Sequence, residues 1–316
     1  MKKVILTILC MITALCTTIG LIGCGGTTAT AGLVFSLSAN GNEYSVTGYT
    51  GSSTNVVIPS VYNGKPVTSI GDGAFFGCNT LTSITIGNSV ISIGDSAFFA
   101  CTSLTSVIIP DSVTSIGDSA FSTTSPLTYN IKDGIKYLGN STNRYLYLAG
   151  VEDKSIISAT LDNNCKFIVG YAFSSCYSLA SIEIPNSVIS IGNYAFYGCN
   201  LLTYNVKDGL KYLGNSTNPY LYLAGVVDNS ITTTSIDDNC RFIGNFAISG
   251  CSALTSVEIP NSVTSILEGA LYFCESLHTI KFTGTVNEWN AISKSYYWAS
   301  SIKATSVICT DGEVAI

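Results

Sequence analysis

Cysteine has the widest chemical repertoire of the residue types in this sequence, because a thiolate can act as a nucleophile, ligate a metal or form a disulfide. The chain has 12 cysteines in 316 residues. Six of them recur at one position of a repeating frame: Cys78, Cys101, Cys176, Cys199, Cys251 and Cys274. Thr124 takes the same position in another copy, which indicates a small, weakly polar, buried group there. No two cysteines have the two-residue spacing of zinc or redox pairs, so we expect reduced structural thiols and no metal.

Other side chains offer few candidates for catalysis. His278 is the one histidine, and it stands at a predicted outward strand position rather than beside a nucleophile and an orienting acid. Asp72, Asp95 and Asp118 each precede a predicted helical turn, where a carboxylate serves as an N-cap. We therefore expect no enzymatic activity and no cofactor.

Cys24 has a different context from the other cysteines. Met1-Lys2-Lys3 and an apolar run to Ile22 are the parts of a secretory signal, although the run approaches the length of a membrane-spanning helix. Leu21-Ile22-Gly23-Cys24 resembles the bacterial lipobox, which implies cleavage before Cys24 and acylation of its sulfur and its new amino group. We predict a signal peptide over residues 1–23, a flexible tether over residues 24–32 and a lipid anchor on Cys24.

The recurrent cysteines belong to a frame that occurs seven times. Each copy has an Ile, an Ala four residues later and a Leu seven residues after the Ala. The alanines are Ala74, Ala97, Ala120, Ala172, Ala195, Ala247 and Ala270, at intervals of 23, 23, 52, 23, 52 and 23 residues. Such a period indicates a solenoid, in which each coil buries its apolar residues against the next. Within one coil, Leu81, Ile84 and Ile86 have strand spacing, and the segment around Ala97 predicts one helical turn.

The repeat resembles that of a known family. The segment from Ile184-Pro185 through Ile191-Gly192 and Ala195-Phe196 to Cys199 is similar, almost residue for residue, to the repeat of BspA-like leucine-rich-repeat proteins of bacterial surfaces. The resemblance implies a right-handed repeat solenoid of leucine-rich-repeat type, strand-rich with short helical turns. This solenoid would span residues 33–282, with an N-terminal cap at its start. A capping coil would follow over residues 283–316, with Trp289 over the last core layer.

Both 52-residue intervals contain a near-duplicate insertion, at about 129–165 and 204–240. Tyr129 to Asn143 and Tyr204 to Asn218 are identical at 13 of 15 positions. Alternation on both sides of an Asn-Ser-Thr-Asn loop predicts a β-hairpin. The tyrosines that follow have two open interpretations, packing on the coil below or contact with a ligand. The candidate ligand-binding residues are Tyr145, Tyr147, Tyr220 and Tyr222.

Composition and charge narrow the range of partners. The chain is 47% hydrophobic and 11% charged, which favours a large core over disorder. A net charge of −6 without a basic cluster disfavours nucleic acid as a partner. The family resemblance implies an extracytoplasmic, lipid-anchored adhesion protein that binds host matrix proteins or partner cells. Two alternatives stay open: a glycan-binding surface lipoprotein that uses the hairpin tyrosines, and an architectural envelope protein without a soluble ligand.

Overall fold

The computed structural model describes residues 29–117, 119–122 and 127–316. The predicted signal peptide (1–23), Cys24, Asp118 and Thr124 lie outside the described residues. The chain divides into two compact units, Met1–Thr128 and Tyr129–Ile316. The division between them falls at the start of the first predicted insertion.

Short strands line two sides of a buried core in the first unit. They are β1 (Leu33–Leu37), β2 (Tyr44–Tyr49), β3 (Asn55–Ile58), β4 (Val61–Tyr62), β5 (Lys65–Ile70), β6 (Ser83–Ile86), β7 (Ser92–Ile93), β8 (Ser106–Ile108) and β9 (Ser115–Ile116). One sheet has the order β1-β2-β5-β7-β9, with β4 beside β5, and the other has the order β3-β6-β8.

The second unit has the same arrangement with two insertions. Its strands up to the second insertion are β10 (Asn130–Lys132), β11 (Ile135–Leu138), β12 (Tyr147–Val151), β13 (Ser158–Thr160), β14 (Phe167–Ile168), β15 (Ser181–Glu183) and β16 (Ser190–Ile191). The strands from the second insertion onward are β17 (Asn205–Lys207), β18 (Leu210–Leu213), β19 (Tyr222–Val226), β20 (Thr233–Ser235), β21 (Phe242–Ile243), β22 (Ser256–Ile259), β23 (Ser265–Ile266), β24 (Thr279–Phe282), β25 (Ser293–Lys294), β26 (Ser306–Cys309) and β27 (Gly312–Ala315). The sheets are β10-β11-β12-β14-β16, β13-β15, β17-β18-β19-β21-β23-β25 and β20-β22-β24-β26-β27.

Equivalent residues of successive coils stack in register, so each unit is a strand-rich repeat solenoid. In the first unit Ile70 pairs with Ile93, and Ile93 with Ile116. In the second, Ile168 pairs with Ile191. Most of these side chains are fully buried because the coils above and below cover them. The prediction of a leucine-rich-repeat solenoid with isoleucine ladders is confirmed.

The predicted helical turn around Ala97 is instead a series of β-turns. Phe99 N–H donates to the Ser96 carbonyl at 3.0 Å within the coil, whereas Phe98 N–H donates to the Ala120 carbonyl of the next coil at 2.8 Å. Ser96 and Ala100 have φ of 52° and 58°, which an α-helix does not allow. Alternate N–H groups therefore bond to a neighbouring coil. Asp72, predicted as a helix cap, accepts from Asp95 N–H of the next coil at 2.9 Å.

Close approach of neighbouring coils explains the glycine that follows the ladder isoleucine. A Cβ on Gly192 would lie 2.8 Å from the Gly170 Cα of the preceding coil. In the first unit a Cβ on Gly94 would lie 2.6 Å from the Asp72 nitrogen. Neither distance leaves room for a carbon atom without moving backbone, so the Ile-Gly pair marks where coils touch.

Each insertion is a three-stranded antiparallel meander. β11 pairs with β10 on one side and with β12 on the other, which confirms the predicted hairpin around residues 140–143. β17, β18 and β19 repeat this pattern. The last strand of each meander then joins the solenoid, because β12 pairs in parallel with β14 and β19 with β21. Tyr147 and Tyr222 therefore begin strands of core sheets, and Tyr145 and Tyr220 lie just before these strands.

The C-terminal coil contains α1 (Val286–Ala291), the α-helix of the described residues. Thr285 and Glu288 form a capping box at its start. Trp289 is 2% exposed and packs edge-on against Phe282 and Trp298, with ring centroids 5.3 and 5.6 Å away. No helix within the described ranges has the length and apolarity needed to span a membrane.

Candidate interaction surfaces

The four tyrosines predicted to contact a ligand are largely packed inside the second unit. Tyr147 and Tyr222 are only 3% and 5% exposed. Leu146, Tyr147 and Leu148 are all buried in succession, which means that both faces of this strand are covered. The ligand-contact interpretation needs exposed rings, which Tyr147 and Tyr222 do not have.

Tyr145 and Tyr220 are half-buried in two copies of one network. Each packs edge-on against a buried tyrosine, Tyr145 on Tyr137 and Tyr220 on Tyr212, with ring centroids 5.3 Å apart. Lys132 Nζ lies 5.4 Å from the Tyr145 ring centroid, a cation–π contact. The packing interpretation of the hairpin tyrosines is the one the structure supports.

A salt bridge ties the first strand of each meander, β10 or β17, to the chain that follows the meander. Lys132 Nζ lies 2.7 Å from Asp162 Oδ2, and Lys207 Nζ lies 2.5 Å from Asp237 Oδ2. Asp162 and Asp237 are the buried charged residues of the described chain, at 6% and 7% exposed. Neither pair was predicted from the sequence. The signal was available, because the two pairs are 75 residues apart, like the duplicated insertions.

The pKa of both aspartates lies below its ordinary value. Burial alone would raise the pKa of Asp237, but hydrogen bonds from the Lys207 ammonium and from the Asn239 N–H and amide outweigh burial. The same balance holds for Asp162. A carboxylate whose pKa is lower in the folded state stabilises the fold above its unfolded-state pKa, and this stabilisation is lost as pH falls through the folded-state pKa.

We expect Asp162→Asn and Asp237→Asn combined to lower the free energy of unfolding at pH 7 by about 1 to 3 kcal/mol, because each removes charge-assisted hydrogen bonds. Solvent screening of the half-exposed lysines favours the lower end. The difference from wild type should shrink as pH falls from about 4, where these carboxylates protonate in the unfolded chain, through their lower folded-state pKa. Urea unfolding from pH 7 to pH 2.5 measures this. Asp238→Asn, at an exposed neighbour, is the control, and an equal effect there would contradict the assignment.

Exposed aromatic rings lie along the turn segments of the second unit, which contain the frame alanines. Tyr171 and Tyr194 stack with ring centroids 5.3 Å apart, Tyr194 and Phe246 lie 6.1 Å apart, and Phe246 and Tyr272 lie 6.3 Å apart. We call this surface the aromatic face. It comprises Tyr171, Tyr194, Tyr197, Phe246, Tyr272, Phe273 and Tyr297. Five of these residues are more than 40% exposed, namely Tyr171, Tyr197, Phe246, Phe273 and Tyr297.

Several residues of the aromatic face have a left-handed backbone conformation. Tyr171, Tyr194 and Phe246, which precede the frame alanine, have φ of 61°, 58° and 53°, and Tyr297 has φ of 53°. This region is unfavourable for residues with a bulky side chain. The corresponding residues of the first unit are Gly73, Ser96 and Ser119. The aromatic face was not predicted from the sequence, although the sequence shows this difference in residue type before the alanine.

Comparison with known proteins decides the family. Residues 48–152, 149–219 and 227–309 match the model of the BspA type leucine rich repeat region, in six copies. The chain belongs to the BspA-type leucine-rich-repeat family. No curated protein matches it by sequence.

Three solved structures similar to this BspA-type chain are leucine-rich-repeat proteins. A leucine rich repeat protein of T. pallidum is 21% identical, with 85% of each chain covered and a TM-score of 0.36. A leucine rich cell surface protein of Faecalibacterium prausnitzii is 24% identical over 86% of this chain and 98% of its own, with a TM-score of 0.35. A leucine-rich repeat protein of Bacteroides ovatus is 20% identical over 87% and 81%, with a TM-score of 0.30.

The repeated cysteines of this BspA-type chain are free thiols in the structure. Cys101 Sγ donates to the Phe75 carbonyl of the preceding coil at 3.1 Å, and Cys199 Sγ donates to the Phe173 carbonyl at the same distance. Burial, reinforced by the neighbouring thiol, raises the pKa of both Cys101 and Cys199 to about 11. These groups are therefore protonated and weakly nucleophilic at neutral pH.

We expect alkylation without reductant to label all six repeat cysteines once the chain is unfolded. In the native protein Cys78, which is half-buried, should react first, and the buried five should react at least about tenfold more slowly. Mass spectrometry of peptides after iodoacetamide treatment measures both patterns. Labelling of the unfolded chain only after reduction would show disulfides in place of free thiols.

The residues considered for acid–base or metal chemistry are not gathered into a site. His278 is exposed, and its Nδ1 lies 2.9 Å from Thr279 Oγ1. Within the described ranges, no cluster of three or more His, Cys, Asp or Glu side chains could hold a metal ion.

Proposed function

We propose that this chain is a lipid-anchored surface protein that binds a partner protein through the aromatic face of its second unit. The lipobox-like segment ending at Cys24 supports the anchor, because acylation there would hold the repeats at the outer surface of a membrane. The partner belongs to the host matrix or to another cell, as the family resemblance implies.

The left-handed backbone of Tyr171, Phe246 and Tyr297 is the observation that carries this proposal. A bulky residue at positive φ costs the fold of the order of 1 to 3 kcal/mol. Gly269 occupies the same position in one coil at φ 66° and bears no strain. Rings retained at a cost to stability, and largely exposed, point to a role in recognition. Tyr and Phe are also enriched at the centres of protein interfaces.

Replacing Tyr171 and Tyr297 with Gly tests the proposal, because glycine suits their backbone. We expect binding to weaken at least about 30-fold, since interface aromatics commonly contribute 2 kcal/mol or more. The free energy of unfolding should change by less than about 1 kcal/mol, because relief of strain offsets lost ring contacts. Binding of the purified chain to an array of matrix proteins, followed by titration of each positive partner, measures the affinity.

The matched control replaces Ser181 and Glu183, which are exposed on β15, with Ala, and this variant should bind like wild type. Unchanged binding by the glycine variant would refute the aromatic face as the contact surface. Binding to a parallel array of glycans alone would favour a glycan-binding lipoprotein. Binding to neither array would favour an architectural envelope protein.

A further inference from the structure

A break in the stacking of coils lies beside the second insertion. The sheet that ends at β16 and the sheet that begins with β17 are separate, and within the described chain β16 pairs with no strand of the second insertion. The insertion supplies strand β19 but no turn segment of its own, because its chain runs from Tyr222 to Val226 as an extended strand. The turn segment around Ala195 therefore has no regular coil stacked on it.

The break leaves two backbone donors without an acceptor. In the preceding coil, Phe173 N–H and Ser175 N–H donate to the carbonyls of Ala195 and Tyr197, both at 2.8 Å. The equivalent donors one coil later are Phe196 N–H and Gly198 N–H. Within the described residues neither of these donates to a protein acceptor. Both residues are only half-buried.

A side chain closes one end of the break. Tyr194 N–H, which would donate to the next coil's carbonyl in a regular stack, donates instead to Asn245 Oδ1 at 2.7 Å. Asn245 Nδ2 in turn donates to Asn193 Oδ1 at 2.9 Å. This bridge gives the Tyr194 N–H an acceptor. The N–H groups of Phe196 and Gly198 lie at the other end of the turn segment and have none, and we call this end the open end.

The open end is an aromatic cleft with a cavity volume of about 120 Å³. Buried Leu213 and Tyr222 form its floor, and Tyr222 packs edge-on against Phe196 with ring centroids 5.3 Å apart. Tyr197 and Phe246, which are 63% and 44% exposed, form its rim. No charged side chain lines the cleft.

We propose that this cleft binds a peptide segment of the partner protein, which takes the β-turn form of a coil and completes the interrupted layer. Two donors spaced i and i+2 match the carbonyls of such a turn segment, because the Ala195 and Tyr197 carbonyls accept from Phe173 and Ser175 in the regular stack. An unpaired backbone edge is a template for such pairing. Apolar or aromatic side chains of the segment would lie between Tyr197 and Phe246, and a neutral or basic segment suits the net charge of −6. The proposal rests on the proposed function and specifies the part of the partner that enters this cleft.

Amide hydrogen exchange by NMR tests the geometry and the ligand in one experiment. In the free purified chain, Phe196 and Gly198 amides should exchange at least about 100-fold faster than the Phe173 and Ser175 amides. The probe is a synthetic peptide of residues 192–198 of this chain, whose carbonyls accept from Phe173 and Ser175. At saturation it should slow exchange of both open amides at least tenfold. Tyr197→Ser with Phe246→Ser should weaken peptide binding at least tenfold, whereas Tyr296→Ser, at an exposed tyrosine outside the cleft, should not.

The inference would be overturned if all four amides exchanged at the same rate in the free protein. It would also be overturned if saturating peptide did not slow exchange of the Phe196 and Gly198 amides. Protection of both amides by maltose or lactose but not by the peptide would overturn it in favour of a sugar site. The proposed function is tested separately by Tyr171 and Tyr297, which lie outside the cleft. If the variant with Gly at 171 and 297 loses partner binding but the peptide protects neither amide, the cleft is refuted and the aromatic face is not. If the peptide protects both amides but that variant binds the partner normally, the aromatic face is refuted and the cleft is not.

Discussion

Replacing Ile191 with Ala should lower the free energy of unfolding by about 2 to 5 kcal/mol. Ile191 is 2% exposed and belongs to a core cluster of the second unit. It pairs with Ile168 of the preceding coil, so truncation opens a cavity that a rigid stack of coils cannot close by local collapse. Leu202, 6% exposed in the same cluster, should show a loss of the same order. Urea unfolding monitored by circular dichroism measures both values.

Thr85→Ala is the control for these core substitutions, because Thr85 is an exposed residue of β6. It should lower the free energy of unfolding by less than about 0.5 kcal/mol. Equal losses at Ile191 and Thr85 would mean that the register of inward and outward positions is wrong.

Cys24→Ser should abolish acylation of the chain and leave its N-terminus unprocessed. Serine keeps the size and the apolar run unchanged but cannot form the thioether on which lipidation depends. Two or more acyl chains suffice for stable anchoring, since each buried methylene contributes about 0.8 kcal/mol. The variant should therefore stay as an uncleaved precursor, without the acyl label that wild type carries. Metabolic labelling with palmitate and intact-mass measurement distinguish these forms.

Cys10→Ser is the matched control, because Cys10 lies in the same apolar run outside the lipobox-like segment. It should be acylated like wild type. A mature native protein that still begins with Met1 would contradict the anchor prediction, as would acyl labelling of the Cys24→Ser variant.

Local spacing made the repeat architecture predictable. Ile191, Ala195 and Cys199 recur with neighbours of the same kind, and only stacked coils can bury such residues at a constant register. The family followed from the same residues. The backbone conformation of the segment around Ala97 was harder to predict, because the apolar spacing there suits a helical turn and a series of β-turns equally. Hydrogen bonds to the next coil, such as Phe98 N–H to the Ala120 carbonyl, favour the β-turns.

Exposure of the aromatic residues could not be predicted from the same spacing. Tyr222 follows a polar loop and alternates with leucines, which is typical of a projecting hairpin. In the fold its strand joins a core sheet beside Phe242, and both of its faces are covered. Tyr171 lies in a short turn next to a buried alanine, yet its left-handed backbone is accompanied by an exposed ring.

By itself, the sequence determined the period, the ladders, the positions of the buried thiols and the family, because each depends on the order of residues within one coil. Only the tertiary structure decided which tyrosines are buried, which rings form the aromatic face, and that Lys207 meets Asp237. It also decided that the N–H groups of Phe196 and Gly198 have no coil above them. These features depend on what a neighbouring coil, 23 to 52 residues away in the chain, places against a given residue.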